Sequence, residues 1–337
     1  MGKPNWFTNK YVQLAVFTLL CLAVGFFIGR AFKPVGITNI AKNTATLVSI
    51  REKGQLTNPL LECDQAEDLF TELKPFKGKL QSLIDEAKSQ NQAEFVSVYF
   101  RDLNNGPWFG INERENFNPG SLLKVPVMMA YLKLWEADPG ILRKQLTVTP
   151  EDFKLQNDFL LPKEEMLEIG KTYTVQDLIS RMIIYSDNIS TQILIKNIDS
   201  SLIEKLYTDF GIDLQQVYQG PPQVTVKGYA GYFRVLFNAS YLGRDASELA
   251  LEILSRSNFQ DGLVAGVPQG TTIAHKYGEK VYGDNLFQLH DCGIVYYPKH
   301  PYLLCVMTRG QNVDKLAQVV RNISTTVYND INAQLQQ

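Results

Sequence analysis

The spacing of apolar positions changes period several times along the chain, and each change predicts an element. Phe76, Leu80, Leu83, Ile84 and Ala87 recur at helical spacing, so a helix is expected just after Lys74-Pro75. Glu94 to Phe100 alternates as a strand, Asn104-Asn105-Gly106 is a hairpin turn signal, and Trp108 to Ile111 returns as a second strand. Residues 127–266 then read as mostly helical. Within them Tyr173 to Ile184 is the clearest segment, with Thr174 as its cap and Val175, Leu178, Ile179, Met182 and Ile183 on its apolar side. It runs into Tyr185-Ser186-Asp187-Asn188, and a further helix follows through Leu194, Ile195 and Ile198. Gly228 to Leu242 is another, whose aromatic stripe (Tyr229, Tyr232, Phe233, Phe237, Tyr241) reads as core packing. After Gly270 the period returns to two. Thr271 to Gly278 is one strand, and Phe287 to Tyr297 with Tyr302 to Thr308 forms a hairpin about Pro298-Lys299. A last helix is predicted over Val313 to Leu335.

Helix, two strands, a helical insert, three strands, helix: the two ends of such a domain must meet to build one sheet. The expectation is an α+β fold, an antiparallel sheet flanked by the terminal helices, with the insert (about 118–266) as a second lobe and a cleft between them.

The N-terminal region is of another kind. Tyr11 to Gly29 is apolar apart from Gln13 and Thr18, with Lys3 and Lys10 before it and Arg30 and Lys33 after it. That length suits one bilayer crossing. No small-x-small cleavage site closes the run, so a retained anchor over residues 1–33 is expected rather than a cleaved signal. Basic residues at both ends leave the orientation open. Residues 34–73 read as a juxtamembrane linker that packs on the domain near Asn58-Pro59-Leu60-Leu61, and 74–337 as the folded domain.

The 337 residues are 45% hydrophobic and carry a net charge of −2, enough for a sizeable core and no reason to expect nucleic acid. His275, His290 and His300 fall in no His-x-x-x-His pattern and no Cys-x-x-Cys is present, so neither a metal nor another cofactor is expected. Cys21 lies inside the apolar N-terminal run. Cys292 and Cys305 flank the Pro298-Lys299 turn and face each other across two strands. Directly opposed strand positions often have poor geometry for a bridge, so free buried thiols are expected, with a disulfide as the alternative.

The stretch Asn118 to Ala130 carries the first candidate chemistry. Pro119-Gly120 reads as a turn, and Ser121 and Lys124 stand three apart at the mouth of an apolar run, on one helical face. A serine hydroxyl needs a neighbouring base, and a lysine serves as one when burial lowers its pKa. Alone, Ser-x-x-Lys reads first as a helix-capping serine followed by a solvated lysine. Two further short segments, Ser186-Asp187-Asn188 and Lys276-Tyr277-Gly278, could line the same cleft.

In this chain order the three segments resemble the signature of the penicillin-recognising serine enzymes, most closely the class A β-lactamase family. The resemblance covers roughly Lys74 to Gln337 and implies a β-lactamase/transpeptidase-like fold. It implies that Ser121 is the acylated nucleophile, that Lys124 takes its proton, and that Ser186 passes a proton to the leaving nitrogen. Asn188 would bind the substrate's side-chain amide and orient Lys124. Lys276 would offer positive charge to a substrate carboxylate and tune Ser186, with Tyr277 and Gly278 beside it. The backbone N–H groups of Ser121 and Glu279 would form the oxyanion hole. Asp187 would bond backbone groups at its turn.

The chain also departs from that pattern. Tyr277 replaces the usual small hydroxyl of the third motif. The strand Leu289-His290-Asp291-Cys292-Gly293 lacks the arginine many relatives carry there, His290 being its only basic residue. Related enzymes have a Glu-x-x-Leu-Asn loop whose glutamate activates the deacylating water. Here Gly211 to Thr225 holds no glutamate; Asp213 is its only acid, and Gln219 or Gln223 can position a water but not deprotonate it. The expected function is a membrane-anchored, monomeric serine hydrolase with its catalytic domain outside the cytoplasm. It would be acylated by a β-lactam or related amide and slow to deacylate. The alternatives are a D,D-peptidase-like enzyme on cell-wall peptides and a binding module that has lost turnover.

Overall fold

The architecture comes from a computed structural model that describes residues 54–58, 76–104, 106–153, 166–210, 222–282 and 286–336. The chain divides into two units, Met1–Ile50 and Arg51–Gln337, and the described residues all belong to the second. Among them no helix is long and apolar enough to cross a membrane. The apolar run 11–29, Asn105 of the expected hairpin turn, and residues 211–221 with Asp213 and Gln219 lie outside the described residues.

The first helix, α1 (Lys77–Ser89), buries Leu80, Ile84 and Ala87. Strands β1 (Phe95–Asp102) and β2 (Trp108–Ile111) follow, then the two-residue β3 (Asn116–Phe117) and a 3-10 turn over Gly120–Leu123. The turn runs directly into α2 (Lys124–Ala137). The lobe that follows contains β4 (Gln145–Thr147), β5 (Thr172–Thr174), α3 (Val175–Ile184), α4 (Asn188–Lys196), α5 (Ser200–Asp209), β6 (Val224–Thr225), α6 (Val226–Phe237) and α7 (Arg244–Ser255). The chain then returns as β7 (Ile273–Tyr282), β8 (Leu286–Val295) and β9 (Tyr302–Gly310) and closes with α8 (Val313–Leu335).

The sheet has the order β2-β1-β9-β8-β7, with every neighbouring pair antiparallel. Strands from the two ends of the domain therefore meet at β1 and β9. One face of the sheet packs on α1 and α8 through Phe76, Leu80, Phe100, Val306, Val319 and Ile323. The other packs on the helical lobe, chiefly through α6 and α7. Burial on both faces explains why β9 reads as a nearly continuous apolar run and why β8 shows no regular alternation.

The local signals held where short-range chemistry decides. Thr174 caps α3 in a capping box with Asp177. Asn312 caps α8, whose buried Leu316, Val319, Val320, Ile323, Val327 and Ile331 keep helical spacing. The aromatic helix starts earlier than the pattern suggested, because Thr225 caps it by accepting from Gly228 N–H, and it ends earlier, at Phe237. The cysteine expectation is corrected: Cys292 and Cys305 are joined by a disulfide. They oppose each other in the β8–β9 register with Cα atoms 4.0 Å apart, the close spacing of a non-hydrogen-bonded antiparallel pair. The segment 54–58 docks on the domain. Glu248 on α7 accepts from Leu56 N–H at 2.6 Å and from Thr57 N–H at 3.0 Å, and Tyr296 donates to Leu56 O at 3.0 Å.

Candidate active site

Ser121 sits in the 3-10 turn and Lys124 opens α2. In a 3-10 turn positions i and i+3 eclipse, so the two side chains start from one side of the backbone. The turn is wedged against β7, backbone to backbone. Gly120 has φ +52, and a Cβ there would stand 2.5 Å from Glu279 O; a Cβ on Gly278 would stand 2.6 Å from Pro119 O. Glycine is required at both places, at Gly120 for its conformation as well as its size. This contact sets the backbone of Ser121 beside that of Glu279. From the lobe, the Tyr229 hydroxyl donates to Leu122 O at 2.9 Å.

Ser186 lies between α3 and α4 with φ +59, an uncommon conformation for a residue with a side chain. Asp187 stabilises it by capping α4. Its fully buried carboxylate accepts from Ile189 N–H at 2.9 Å, from Ser190 N–H at 3.2 Å and from the Ser190 hydroxyl.

Two lysines converge on Ser186. Lys124 Nζ lies 3.2 Å from its Oγ, bonds its carbonyl oxygen, and reaches Asn188 Oδ1 at 2.7 Å. Lys276 Nζ comes from β7 and lies 3.0 Å from the same Oγ and 2.9 Å from Tyr277 O. Lys124 is buried and Lys276 is fully buried. Burial pushes the Lys276 amine well below the usual ammonium range, the Lys124 amine pushes it the same way, and Asp291 opposes both. Asp291 is itself engaged, at 2.8 Å from His275 Nδ1 and 2.8 Å from Leu263 N–H.

The remaining positions singled out from the sequence fall as follows. The Tyr277 ring turns away from solvent and stacks on Phe259, with centroids 4.2 Å apart. Glu279 is exposed, and its carboxyl is raised by desolvation and by Asp314. His290 is fully buried on β8, where burial holds it down at about 4. Its Nε2 lies 3.0 Å from Asn118 O, and Thr308 N–H donates to its Nδ1 at 3.3 Å. A carbonyl can only accept, so Nε2 carries the proton and the ring is neutral. Among the described residues no three histidine, cysteine or carboxylate side chains converge as a metal would require. Gln288 was not anticipated: its Oε1 accepts from Asn118 N–H at 3.0 Å. The available signal was a polar cluster, Gln288, His290 and Asp291, within an otherwise apolar strand, since buried polar groups need partners.

The chain matches the model of the β-lactamase enzyme family over residues 75–331. No curated protein matches it in sequence. Its structure is similar to that of PBP-A (19% identity over 78% of this chain and 99% of that one, TM-score 0.65). It is also similar to a PBP-A mutant in an acyl-enzyme complex with penicillin G (20% identity, 78% and 99%, TM-score 0.64). A class A β-lactamase from Mycobacterium abscessus aligns with 21% identity over 76% of this chain and 98% of its own, at TM-score 0.64. At these identities the structural likeness is one of fold.

Proposed function

The chain belongs to the β-lactamase enzyme family, and from that premise we propose that it is a serine hydrolase that forms an acyl-enzyme on Ser121. The observation that carries this reading is the Ser186 hydroxyl held between two buried lysine amines, 3.2 Å from Lys124 and 3.0 Å from Lys276. Lys124 Nζ is held against Ser186 O and Asn188 Oδ1. In its unprotonated form the amine has a lone pair that can take a hydroxyl proton. Ser121 attacks the substrate carbonyl and its proton passes to Lys124, directly or through Ser186. The Ser121 and Glu279 N–H groups stabilise the developing oxyanion. Ser186 delivers a proton to the leaving nitrogen, and Lys276 holds the Ser186 hydroxyl in place. The acyl group then waits for water.

The substrate we propose is a β-lactam or a related amide. In support, a structurally similar PBP-A mutant forms an acyl-enzyme with penicillin G. Deacylation is slow in this reading, because Gly211 to Thr225 supplies no glutamate to activate water. A second reading, a D,D-peptidase-like enzyme on cell-wall peptides, is favoured by Tyr277. Its ring is packed on Phe259 where a small hydroxyl would otherwise help a β-lactam carboxylate dock. In both readings residues 11–29 hold the protein in the membrane and the catalytic domain lies outside the cytoplasm. The Cys292–Cys305 disulfide supports the latter, since such bonds persist in oxidising compartments.

The test is incubation with a penicillin followed by intact-mass analysis, alongside turnover of a chromogenic cephalosporin. A persistent adduct that maps to Ser121 and is absent from Ser121→Ala is the expected result. Equal labelling of Ser121→Ala would overturn the nucleophile assignment. Fast turnover without an adduct would overturn slow deacylation.

A further inference from the structure

We infer that Gln288 and His290 are positioning residues: from β8, the strand next to β7, they grip both backbone polar groups of Asn118 and so set the turn that presents Ser121. The Asn118 N–H donates to Gln288 Oε1 at 3.0 Å, and Asn118 O accepts from His290 Nε2 at 3.0 Å. The Asn118 side chain continues the chain of contacts, its Oδ1 accepting from Gly120 N–H at 3.0 Å. Gly120 is the residue in the left-handed conformation immediately before Ser121. Gln288 and His290 stand two apart on β8 and so share one face of it. Arg309, opposite Gln288 on β9, extends the grip by one step and donates to Asn116 O at 3.0 Å.

These contacts are built rather than incidental. Gln288 is 3% exposed and His290 is 0% exposed, so each hydrogen bond is made out of water. His290 is also fixed at its other nitrogen by Thr308 N–H, and its ring meets Phe117 edge-on at 5.3 Å. Both ends of its polar axis are therefore occupied, and the ring cannot turn away from Asn118 without breaking two bonds. The nucleophile turn has no disulfide and no helix cap of its own. What fixes it is this pair of side chains, Tyr229 on Leu122, and the glycine contacts with β7. Because reaction rate depends steeply on where an attacking atom sits, a group that sets Asn118 sets the reactivity of Ser121.

The inference rests on the proposed acylation of Ser121, and the experiment separates the two. The acylation rate at saturating fluorescent penicillin and the concentration giving half that rate are measured for the full-length protein and four variants, with thermal unfolding of each. Gln288→Glu keeps an acceptor and Gln288→Leu removes it; His290→Gln keeps an N–H donor and His290→Phe removes it. The expected result is a rate at least roughly tenfold lower for Gln288→Leu and His290→Phe, with the half-saturating concentration changed much less. Gln288→Glu and His290→Gln should recover most of the loss. Variants that lower the melting temperature but acylate at the native rate would overturn the inference and leave the acylation reading standing. If the native protein is not acylated, the acylation reading fails. The amide resonances of Gly120 and Ser121 then decide: they should shift in Gln288→Leu and return in Gln288→Glu, and unmoved resonances overturn the inference.

Discussion

Replacing His290 by glutamine should flatten the acid side of the protein's stability curve. In the folded protein burial lowers the imidazole from its usual 6.5 to about 4, and the nearby Arg309 guanidinium adds to this. Glu115 pairs with Arg309 at 3.5 Å and softens that repulsion, while Asn118 O and the Leu289 backbone favour the charged ring. A histidine whose folded value is depressed gives its full stability above its unfolded value. That stability is lost as the pH falls, because the unfolded chain takes up a proton that the fold refuses. The window runs from 6.5 down to about 4. Within it the slope is about 1.4 kcal/mol per pH unit, so the total loss is about 3 kcal/mol. Below that window protonation would also set Nδ1–H against Thr308 N–H, donor against donor. Glutamine can still donate to Asn118 O but does not titrate. The assay is urea unfolding of native and His290→Gln proteins at several pH values between 7 and 4. The carboxylates are common to both, so their titration cancels in the difference. At pH 7 the native protein should be the more stable, by about 1–3 kcal/mol for the disturbed buried contacts. That advantage should shrink by about 3 kcal/mol by pH 4. A difference that stays constant across the range would refute the buried, neutral imidazole.

Other perturbations have equally definite outcomes. Lys276→Met removes a fully buried amine and should leave stability unchanged or slightly higher, while lowering the acylation rate; a large loss of stability in thermal unfolding would show that the amine holds the fold. Gly120→Ala forces a side chain into the left-handed region, 2.5 Å from Glu279 O. It should cost about 1–3 kcal/mol in urea unfolding and slow acylation, and an unchanged protein would contradict the close approach of turn and strand. Replacing Cys292 and Cys305 together by alanine opens a loop with a sequence separation of 13 and should cost about 2–3 kcal/mol. Thiol titration of the denatured native protein before and after reduction checks the bond directly, two extra thiols after reduction being expected.

How much of this could be read from the sequence depends on the range over which each contact acts. Ser121 and Lys124 stand three residues apart at the start of an apolar run, and Thr174 stands just before another. Short-range pattern placed them, and they lie in the 3-10 turn, at the start of α2 and at the cap of α3. The meeting of Lys124, Ser186, Asn188 and Lys276 needed the order of three segments and a likeness to a known family. The grip on Asn118 was not legible in the same way. Its partners lie 170 and 172 residues away in sequence. Which face of β8 they occupy is hidden, because a strand buried on both sides shows no alternation. His290 accordingly read only as the one basic residue of its strand, whereas the structure holds it as a buried, neutral ring bonded to backbone. The disulfide was misread for a related reason: pairing could be foreseen from the hairpin, but not how closely the two backbones approach at that pair. Tyr277 raised the right question, yet its answer lay in Phe259, a residue in a connecting segment with no periodicity to place it.

The arrangement of charge at the site follows from the fold rather than from the motifs alone. Lys124 and Lys276 reach the same hydroxyl from opposite sides of the seam, one from α2 and one from β7. Among the described residues no carboxylate hydrogen-bonds to Lys276, whose partners are Ser186 and Tyr277 O, and Asp291 acts on it through the field. The Lys124 amine, on the same hydroxyl, adds to the burial that pushes the Lys276 amine below the usual ammonium range. On the proposed mechanism Lys124 is placed to accept a proton from Ser121, and Ser186 lies between the two amines to carry that proton onward. The same burial requires that the surrounding backbone be fixed, since water cannot repair a displaced contact there. Gly120 against Glu279, Gly278 against Pro119, and Gln288 with His290 on Asn118 fix it. Reactivity at Ser121 should therefore be as sensitive to these supporting contacts as to the two lysines themselves.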